Sequence, residues 1–384
     1  MTPGLESHVI AGHAADALAS LTASQVAFLK SVPKAELHAH LNGSIPLPTL
    51  QELAHQYILE HDPQTDGHSP ELDTLRASVE GLLQGVELNE IHEFFGLFPA
   101  IYTLTSTPAA LATAARAVLQ YFLSSDDGYP SAAYLELRTT PRESSSMNRL
   151  QYLESVLGEI EQYPEDKAAL IVSLDRRMSA DVAAECINCA IQLKRSGRRI
   201  VGVDLCGDPK AGNMEEFAVH FRRAKEAGLG ITLHIAEIEE SPASEILQLL
   251  SFQPDRLGHA TFLDSNAKDI VKRNKSCIEI CLSSNLLCKT VQTLDVHHIR
   301  YYLEHDHPIA ICVECLPYFI STGLSYSINL QTDDILPFRN SLLAEYAMLM
   351  AAPPLGLGLT EEEIEEIAKM GMECRFRLGA RMHK

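Results

Sequence analysis

The chain has 384 residues, 46% of them apolar, which suits one large core of the size that α/β barrels reach as a single domain. Lysine and arginine number 31 against 51 acidic residues, a formal charge of −20, so the surface repels nucleic acid and anionic lipid and an anionic substrate needs a locally basic pocket. Nine cysteines without framework spacing argue against a disulfide scaffold, and no apolar run is long enough to span a membrane. We expect a soluble, cytoplasmic monomer whose partner is a small molecule rather than nucleic acid or membrane.

Residues 1–31 read as an N-terminal helical extension, since MTPGLESHVIAGHAADALAS lacks a basic segment followed by an apolar core. From residue 32 to 384 we expect one barrel domain. Its first strand is Lys34–Leu41, followed by a helical insertion over about residues 46–130 that caps the barrel mouth. Within it, His61–Asp73 is a polar loop, and Phe94, Phe95 and Phe98 either roof an apolar pocket or pack between helices. Strands then alternate with amphipathic helices. The strands are Ala132–Thr139, Leu170–Asp175, Ile200–Cys206, Gly230–Ile235, Arg256–His259 and Ile278–Ser283, with an eighth inside Pro308–Gln331. The helices include Ala183–Arg195, Met214–Ala227, Pro242–Leu250, Ser265–Asn274 and Asp295–His305, and Glu361–Lys384 reads as a surface helix. Cys186 and Cys189 form a CxxC inside a helical pattern with no second pair, which reads as a reduced helix face rather than a zinc knuckle. Eight such strands make an α/β fold, a (β/α)8 barrel with a helical insertion after strand one.

His38 and His40 stand two apart on a strand, so both rings face one side. His234 closes strand five, and Asp333 would close strand eight. Three histidines and a carboxylate suit Zn²⁺, with water in the open position. Each residue alone has a plainer reading. A histidine is an ordinary hydrogen-bond partner, Glu237 a solvated helix start followed by Glu239 and Glu240, and Asp333–Asp334 a helix cap. The set carries more than its members because they end separate strands at one face.

Seven short words stand in order: His38-Ala39-His40 in KAELHAHLNGS, Arg138–Arg142 in YLELRTTPR, Asp175 in SLDRR, Gly207 in DLCGDP, His234–Glu237 in HIAE, His259 in RLGHA and Asp333-Asp334 in QTDD. Together they resemble the adenosine/AMP deaminase superfamily, and HAHLNGS, ELRTTPR and HIAE are most similar to its adenosine deaminase-like branch, the N6-methyl-AMP deaminases. The resemblance covers roughly Val32 to Phe338. It implies one zinc per subunit, held by His38, His40, His234 and Asp333. It implies Glu237 as proton donor to purine N1, with His259 and Asp334 orienting the attacking hydroxide. Asp334 would also contact N7, and the Gly207 N–H the ring. His40, Asn42, Thr139, Thr140, Pro141, Arg142 and Asp175 would complete the substrate contacts.

Adenosine deaminases proper usually carry aspartate where this chain has Asn42, and HAGE where it has HIAE. Asn42 is uncharged and tolerates a nearby phosphate better than a carboxylate would. The hydroxyls of Thr139 and Thr140, loop N–H groups and Arg142 fit phosphate binding; the plain alternative is loop capping with an exposed arginine. The family commonly has histidine where this chain has Tyr102, so a phenol replaces an imidazole there. The resemblance thus implies hydrolysis of N6-methyl-AMP to IMP and methylamine. Adenosine or adenine deamination is the enzyme alternative, which Asn42 and Arg142 disfavour.

In relatives the strand-eight words IAIC and TDD are contiguous. Here VECLPYFISTGLSYSINLQ, residues 313–331, separates them. Either Pro308–Cys312 is strand eight or Tyr326–Gln331 replaces it. The inserted words are more apolar than a surface loop. Their length preserves the frame when removed, valine codons begin GT and a glutamine codon ends AG, so we read them as a translated intron, with a genuine insertion as the alternative. An inactive metal-binding relative, disabled by displacement of Asp333, is the non-enzyme reading.

Overall fold

Eight parallel strands pair in chain order, β1 with β2 and onward to β8, and helices follow the strands around the outside. The computed structural model describes residues 12–60, 75–80, 98–125, 128–313 and 340–377. The strands are β1 (Ala35–Glu36), β2 (Tyr134–Thr139), β3 (Ala168–Asp175), β4 (Ile200–Cys206), β5 (Gly230–Ile235), β6 (Arg256–His259), β7 (Cys277–Ile280) and β8 (Ile309–Ile311). This is the expected (β/α)8 barrel. Every residue of β2, β3 and β4 is buried, as a parallel sheet covered on both faces requires. At the seam, Glu36 joins the two ends of the sheet. Its Oε1 accepts the His38 N–H and its Oε2 the Val313 N–H, each at 2.7 Å.

Alternation along each strand sorts the side chains into two cores. The larger lies between strands and helices and includes Leu135, Leu137, Leu170, Val172, Leu205 and Leu233. The smaller includes Tyr134, Ala169, Ile171, Val201, Cys277 and Ala310, with Phe376 packed against it. Tyr134 shares its face of β2 with Glu136 and Arg138, so this second cluster lies inside the barrel, at its floor.

Helix starts follow from local chemistry. Asn148 and Gln151 form a reciprocal capping box at Arg149–Ile160, and Thr360 and Glu363 form another at Glu361–Glu373. Ser179 caps Ala180–Arg195, which carries Cys186 and Cys189 on its buried face. Helices Gly12–Ala19 and Ala23–Ser31 precede β1, and Leu47–Glu60, Phe98–Leu104 and Pro108–Leu123 lie between β1 and β2. No helix among the described residues is long and apolar enough to cross a membrane.

Four expectations need correction. First, β1 is two residues long, not Lys34–Leu41; the chain leaves the ladder after Glu36 and rejoins it only as a single bridge between His40 and Arg138. Second, β7 stops at Ile280, because the buried Glu345 carboxylate accepts the N–H groups of Leu282 (2.9 Å) and Ser283 (3.1 Å) and starts the helix Leu282–Leu287 there. Third, Asp295–His305 divides into a 3-10 turn, Leu294–Val296, and a helix, Ile299–Glu304. Fourth, the last helix ends at Glu373, with Ile364, Ile367 and Ala368 buried, and Cys374–Phe376 turn under the barrel. Strand eight is Ile309–Ile311, the first of the two routes. His61–Asp73, Phe94, Phe95, residues 314–331, Asp333 and Asp334 lie outside the described residues.

Candidate metal centre and substrate pocket

The C-terminal ends of the strands gather the histidines. His38 and His40 follow β1, His234 is on β5 and His259 ends β6; all four are buried, at 4% exposure or less. Ring centroids lie 4.6 Å apart for His38 and His234, 5.2 Å for His40 and His234, and 5.3 Å for His38 and His259. His38, His234 and His259 each present a ring nitrogen within 4.8 Å of the others. His40 Nε2 lies 3.2 Å from His234 Nε2.

Partners beneath the rings set the tautomers. His234 Nδ1 lies 2.9 Å from the Leu205 carbonyl and 3.0 Å from Asp204 Oδ1. A carbonyl only accepts, so Nδ1 carries the proton and Nε2 the lone pair. His38 Nδ1 lies 2.5 Å from Glu279 Oε2. Burial alone would raise the Glu279 carboxyl, but Arg138, Arg256 and His38 outweigh it and hold it well below the usual carboxylate range. His38 therefore donates from Nδ1 and presents its lone pair from Nε2. Burial, Arg138 and His234 together push His38 down to about 3. Burial and His234 push His40 well below the ordinary imidazole value. For His234, burial acts downward, but the charge and hydrogen bond of Asp204 prevail and raise it.

These residues fit a metal ion. Neutral imidazoles are its commonest protein ligands. Ligand distances of about 2.0–2.1 Å around a tetrahedral ion give nitrogen–nitrogen edges of about 3.3 Å. The 3.2 Å between His40 and His234 matches such an edge. At that distance the two nitrogens share either one proton or one cation, and a cation would oppose the proton on His234. A second set, His40, Asp204 and Cys206, also converges. It is the poorer site, because burial pushes the Cys206 thiol well above its ordinary value and Asp204 already holds His234, Arg138 (3.4 Å) and Ser173 (3.0 Å).

Asp204, Glu279 and Gly258 are the site residues that sequence reasoning missed. Asp204 and Glu279 hold imidazoles as the outer partners of metal-binding histidines do. Their signal was a single carboxylate in an apolar strand, IVGVDLC or CIEI. Gly258 is needed for space: a Cβ there would lie 2.8 Å from His38 Cε1.

Glu237 leaves β5 through Ala236, whose φ is 50°, and is buried beside His234, whose proton affinity its charge raises. His259 (φ 61°) and Ala260 (φ 52°) both adopt left-handed conformations, the kind of local strain that surrounding structure must hold. His298 Nε2 holds the His259 carbonyl at 2.9 Å.

Together with His40 and Arg138, the residues Asn42, Phe98, Tyr102, Thr139, Thr140 and Arg142 line one small pocket. The Thr139 hydroxyl meets Tyr152 Oη at 2.9 Å; Tyr152 donates to Asn42 Oδ1 at 3.4 Å, and Asn42 Nδ2 reaches Thr105 Oγ1 at 3.5 Å. Thr140 Oγ1 lies 3.8 Å from Cys206 Sγ, and Pro141 is buried. The Arg142 guanidinium sits 3.4 Å above the Tyr102 ring. Its Nε is buried without a hydrogen-bond partner, and no carboxylate among the described residues pairs with it. Asp175 and Gly207 also come together, at the ends of β3 and β4. Asp175 takes a two-pronged bond from Arg177, at 3.0 and 2.8 Å. Gly207 has φ 102°, and a Cβ there would lie 2.9 Å from Asp175 Oδ1.

Comparison with known proteins gives the family. N6-Methyl-AMP deaminase of Danio rerio is 31% identical over 363 residues, covering 91% of this chain and 92% of the relative. That of Bos taurus is 33% identical over 302 residues, 75% of this chain and 80% of the relative. The Arabidopsis N6-mAMP deaminase structure superimposes with a TM-score of 0.72 at 29% identity, covering 91% of this chain and 95% of that one. An Arabidopsis relative solved in complex with IMP has a TM-score of 0.71 at 29% identity, covering 91% of this chain and 94% of that one. The family model described as adenosine deaminase matches residues 33–380. The chain belongs to the adenosine deaminase family and is an enzyme of amidohydrolase type.

Proposed function

We propose that this enzyme is a zinc-dependent deaminase of N6-substituted purine nucleotides, hydrolysing N6-methyl-AMP to IMP and methylamine. The observation that carries the nucleotide is Arg142. In a chain of net charge −20, its guanidinium rests on Tyr102 beside His40 and has no carboxylate partner among the described residues. A cation resting on a ring in this way suits the phosphate of a nucleotide. Asn42, held by Tyr152 and Thr105, adds no negative charge nearby.

His38, His40 and His234 would hold the zinc, with Asp333 as the fourth protein ligand. When bound, zinc supplies Lewis-acid activation of the attacking water. Glu237 donates a proton to purine N1, which makes C6 electrophilic. His259 and Asp334 orient the water that adds to C6 and take its proton. The proton taken from water passes to the amine nitrogen, the tetrahedral carbon expels methylamine, and the C6 hydroxyl proton returns to Glu237 as the carbonyl of IMP forms. The Gly207 N–H lies against the purine ring, and Thr139, Thr140, Pro141, Arg142 and Asp175 shape the nucleotide end. Pockets of this kind fix orientation with few polar groups.

The test is a panel of N6-methyl-AMP, AMP, N6-methyladenosine, adenosine and adenine on purified protein, with elemental analysis for zinc. The expected result is one zinc per chain and equal release of IMP and methylamine from N6-methyl-AMP, at the highest kcat/KM of the panel. Faster turnover of adenosine or adenine would overturn the substrate, and a zinc-poor, inactive protein would favour an impaired relative.

A further inference from the structure

Beneath the histidines, a file of buried charges runs down the barrel axis and ends at the C-terminal segment. Glu279 on β7 bonds His38 Nδ1 at 2.5 Å, Arg256 Nε at 2.7 Å, Arg138 Nη2 at 2.8 Å and Thr232 Oγ1 at 2.9 Å. Arg256, the first residue of β6, also reaches Glu136 Oε2 at 2.7 Å and donates to the Cys374 carbonyl at 3.0 Å. Glu136 Oε1 accepts the backbone N–H of Phe376 at 2.6 Å. Phe376 thus stands four polar contacts from the His38 ring, three hydrogen bonds and the Glu136–Arg256 ion pair.

The Phe376 ring closes the file from below. It lies 3.8 Å from the Arg256 guanidinium, face on. It fills a notch that two absent side chains leave: a Cβ on Gly202 would lie 2.6 Å from the ring and one on Gly230 2.4 Å. These two glycines are register partners on β4 and β5. Water at this end would weaken the Arg256 pairs, because buried electrostatic bonds lose strength as the local dielectric rises. Arg256 would then be freer to turn, and Glu279 would lose one of the groups that fix it under His38.

We propose that Phe376 is a positioning residue: the wedge Cys374–Phe376 seals the barrel floor and, through Glu136, Arg256 and Glu279, fixes the His38 ring for the metal. The inference rests on the metal reading given above.

The test uses full-length protein loaded with zinc, and measures zinc release to a chelator together with the thermal midpoint. The variants are Phe376→Ala, Phe376→Leu and Arg256→Lys, with Phe221→Ala as control. Phe221 stacks on Phe252 at 5.4 Å, outside the barrel, so its loss destabilises without touching the floor. Loss of an outer partner at a metal site typically costs about 10–100-fold in affinity or activity. We expect Phe376→Ala and Arg256→Lys to release zinc at least about tenfold faster, Phe376→Leu to recover most of the loss, and Phe221→Ala to match wild type in release despite a lower midpoint. The visible spectrum of the cobalt-substituted protein should change in Phe376→Ala and stay unchanged in Phe221→Ala. If Phe376→Ala does not fold, Phe376→Leu and Arg256→Lys decide, the latter keeping the charge but losing the fork. Wild-type release rates in the floor variants, or equal acceleration in Phe221→Ala, would overturn the inference alone. A wild-type protein that binds no stoichiometric metal would overturn the metal reading with it.

Discussion

The two ends of the barrel interior handle polarity in opposite ways. From beneath the histidines down to the floor, Arg138 and Arg256 stand between Glu136, Glu279 and Asp204, each arginine with carboxylates within 3.4 Å. At the mouth, imidazole lone pairs converge and Arg142 lies on a ring with no carboxylate partner among the described residues. A buried network in which each cation is paired with carboxylates is rigid and leaves a ligand little to complete. One left with lone pairs and an uncompensated cation presents groups that a ligand completes. The difference marks the mouth as the working end and the floor as its foundation.

Four measurements would break or sharpen this contrast. The largest effect belongs to the mouth: His234→Ala should abolish turnover and drop zinc well below one per chain, since it removes a proposed ligand while Asp204 stays paired with Arg138. Full zinc occupancy in that variant would remove His234 from the metal set. Glu237→Gln comes next. It should keep zinc and nucleotide binding but lose about 10²–10⁴-fold in kcat, because an amide cannot deliver the proton to N1. Turnover near wild type would leave Glu237 without that role. Third, Arg142→Ala should cost N6-methyl-AMP roughly 10- to 100-fold in kcat/KM, the worth of a charge-assisted bond. N6-methyladenosine should be nearly unaffected, and equal losses on both would make Arg142 structural.

The smallest effect concerns a buried group just past the end of β7. Burial pushes Glu345 up to about 7, although bonds from Ser283, Leu282 and Asn340 pull it down. A carboxyl raised on folding binds its proton more tightly in the native state than in the unfolded chain. Its stabilising contribution is therefore full below the ordinary value of 4.5 and is lost as pH rises to about 7. Glu345→Gln should flatten this part of the curve of thermal midpoint against pH; an unchanged slope would mean that Glu345 does not titrate there.

The strands were legible because an apolar run closing on a polar word is a local pattern. β4, β5 and β6 lie at the residues expected from such runs. So were the histidines at or next to their ends, His234 and His259. What escaped the sequence depends on partners far along the chain. The end of β7 is set by Glu345, more than sixty residues later, whose carboxylate supplies a helix start that Cys281 does not. β1 is short because Glu36 spends its side chain on the His38 N–H and on Val313 across the seam. Asp204 and Glu279 were visible as lone acids in apolar strands, but which imidazole each holds follows only from barrel closure. Gly258 gave no signal, since a glycine beside a histidine does not say whose ring it must clear.

The ring of Phe376, seated where side chains at residues 202 and 230 would lie, ties three distant positions into one shape. Related sequences should therefore vary at them in concert. A lineage that gains a side chain at either glycine must give up the aromatic ring or move the end of its last helix. A lineage that loses the ring is released from keeping the two glycines, and its barrel floor is free to fill from the strands instead.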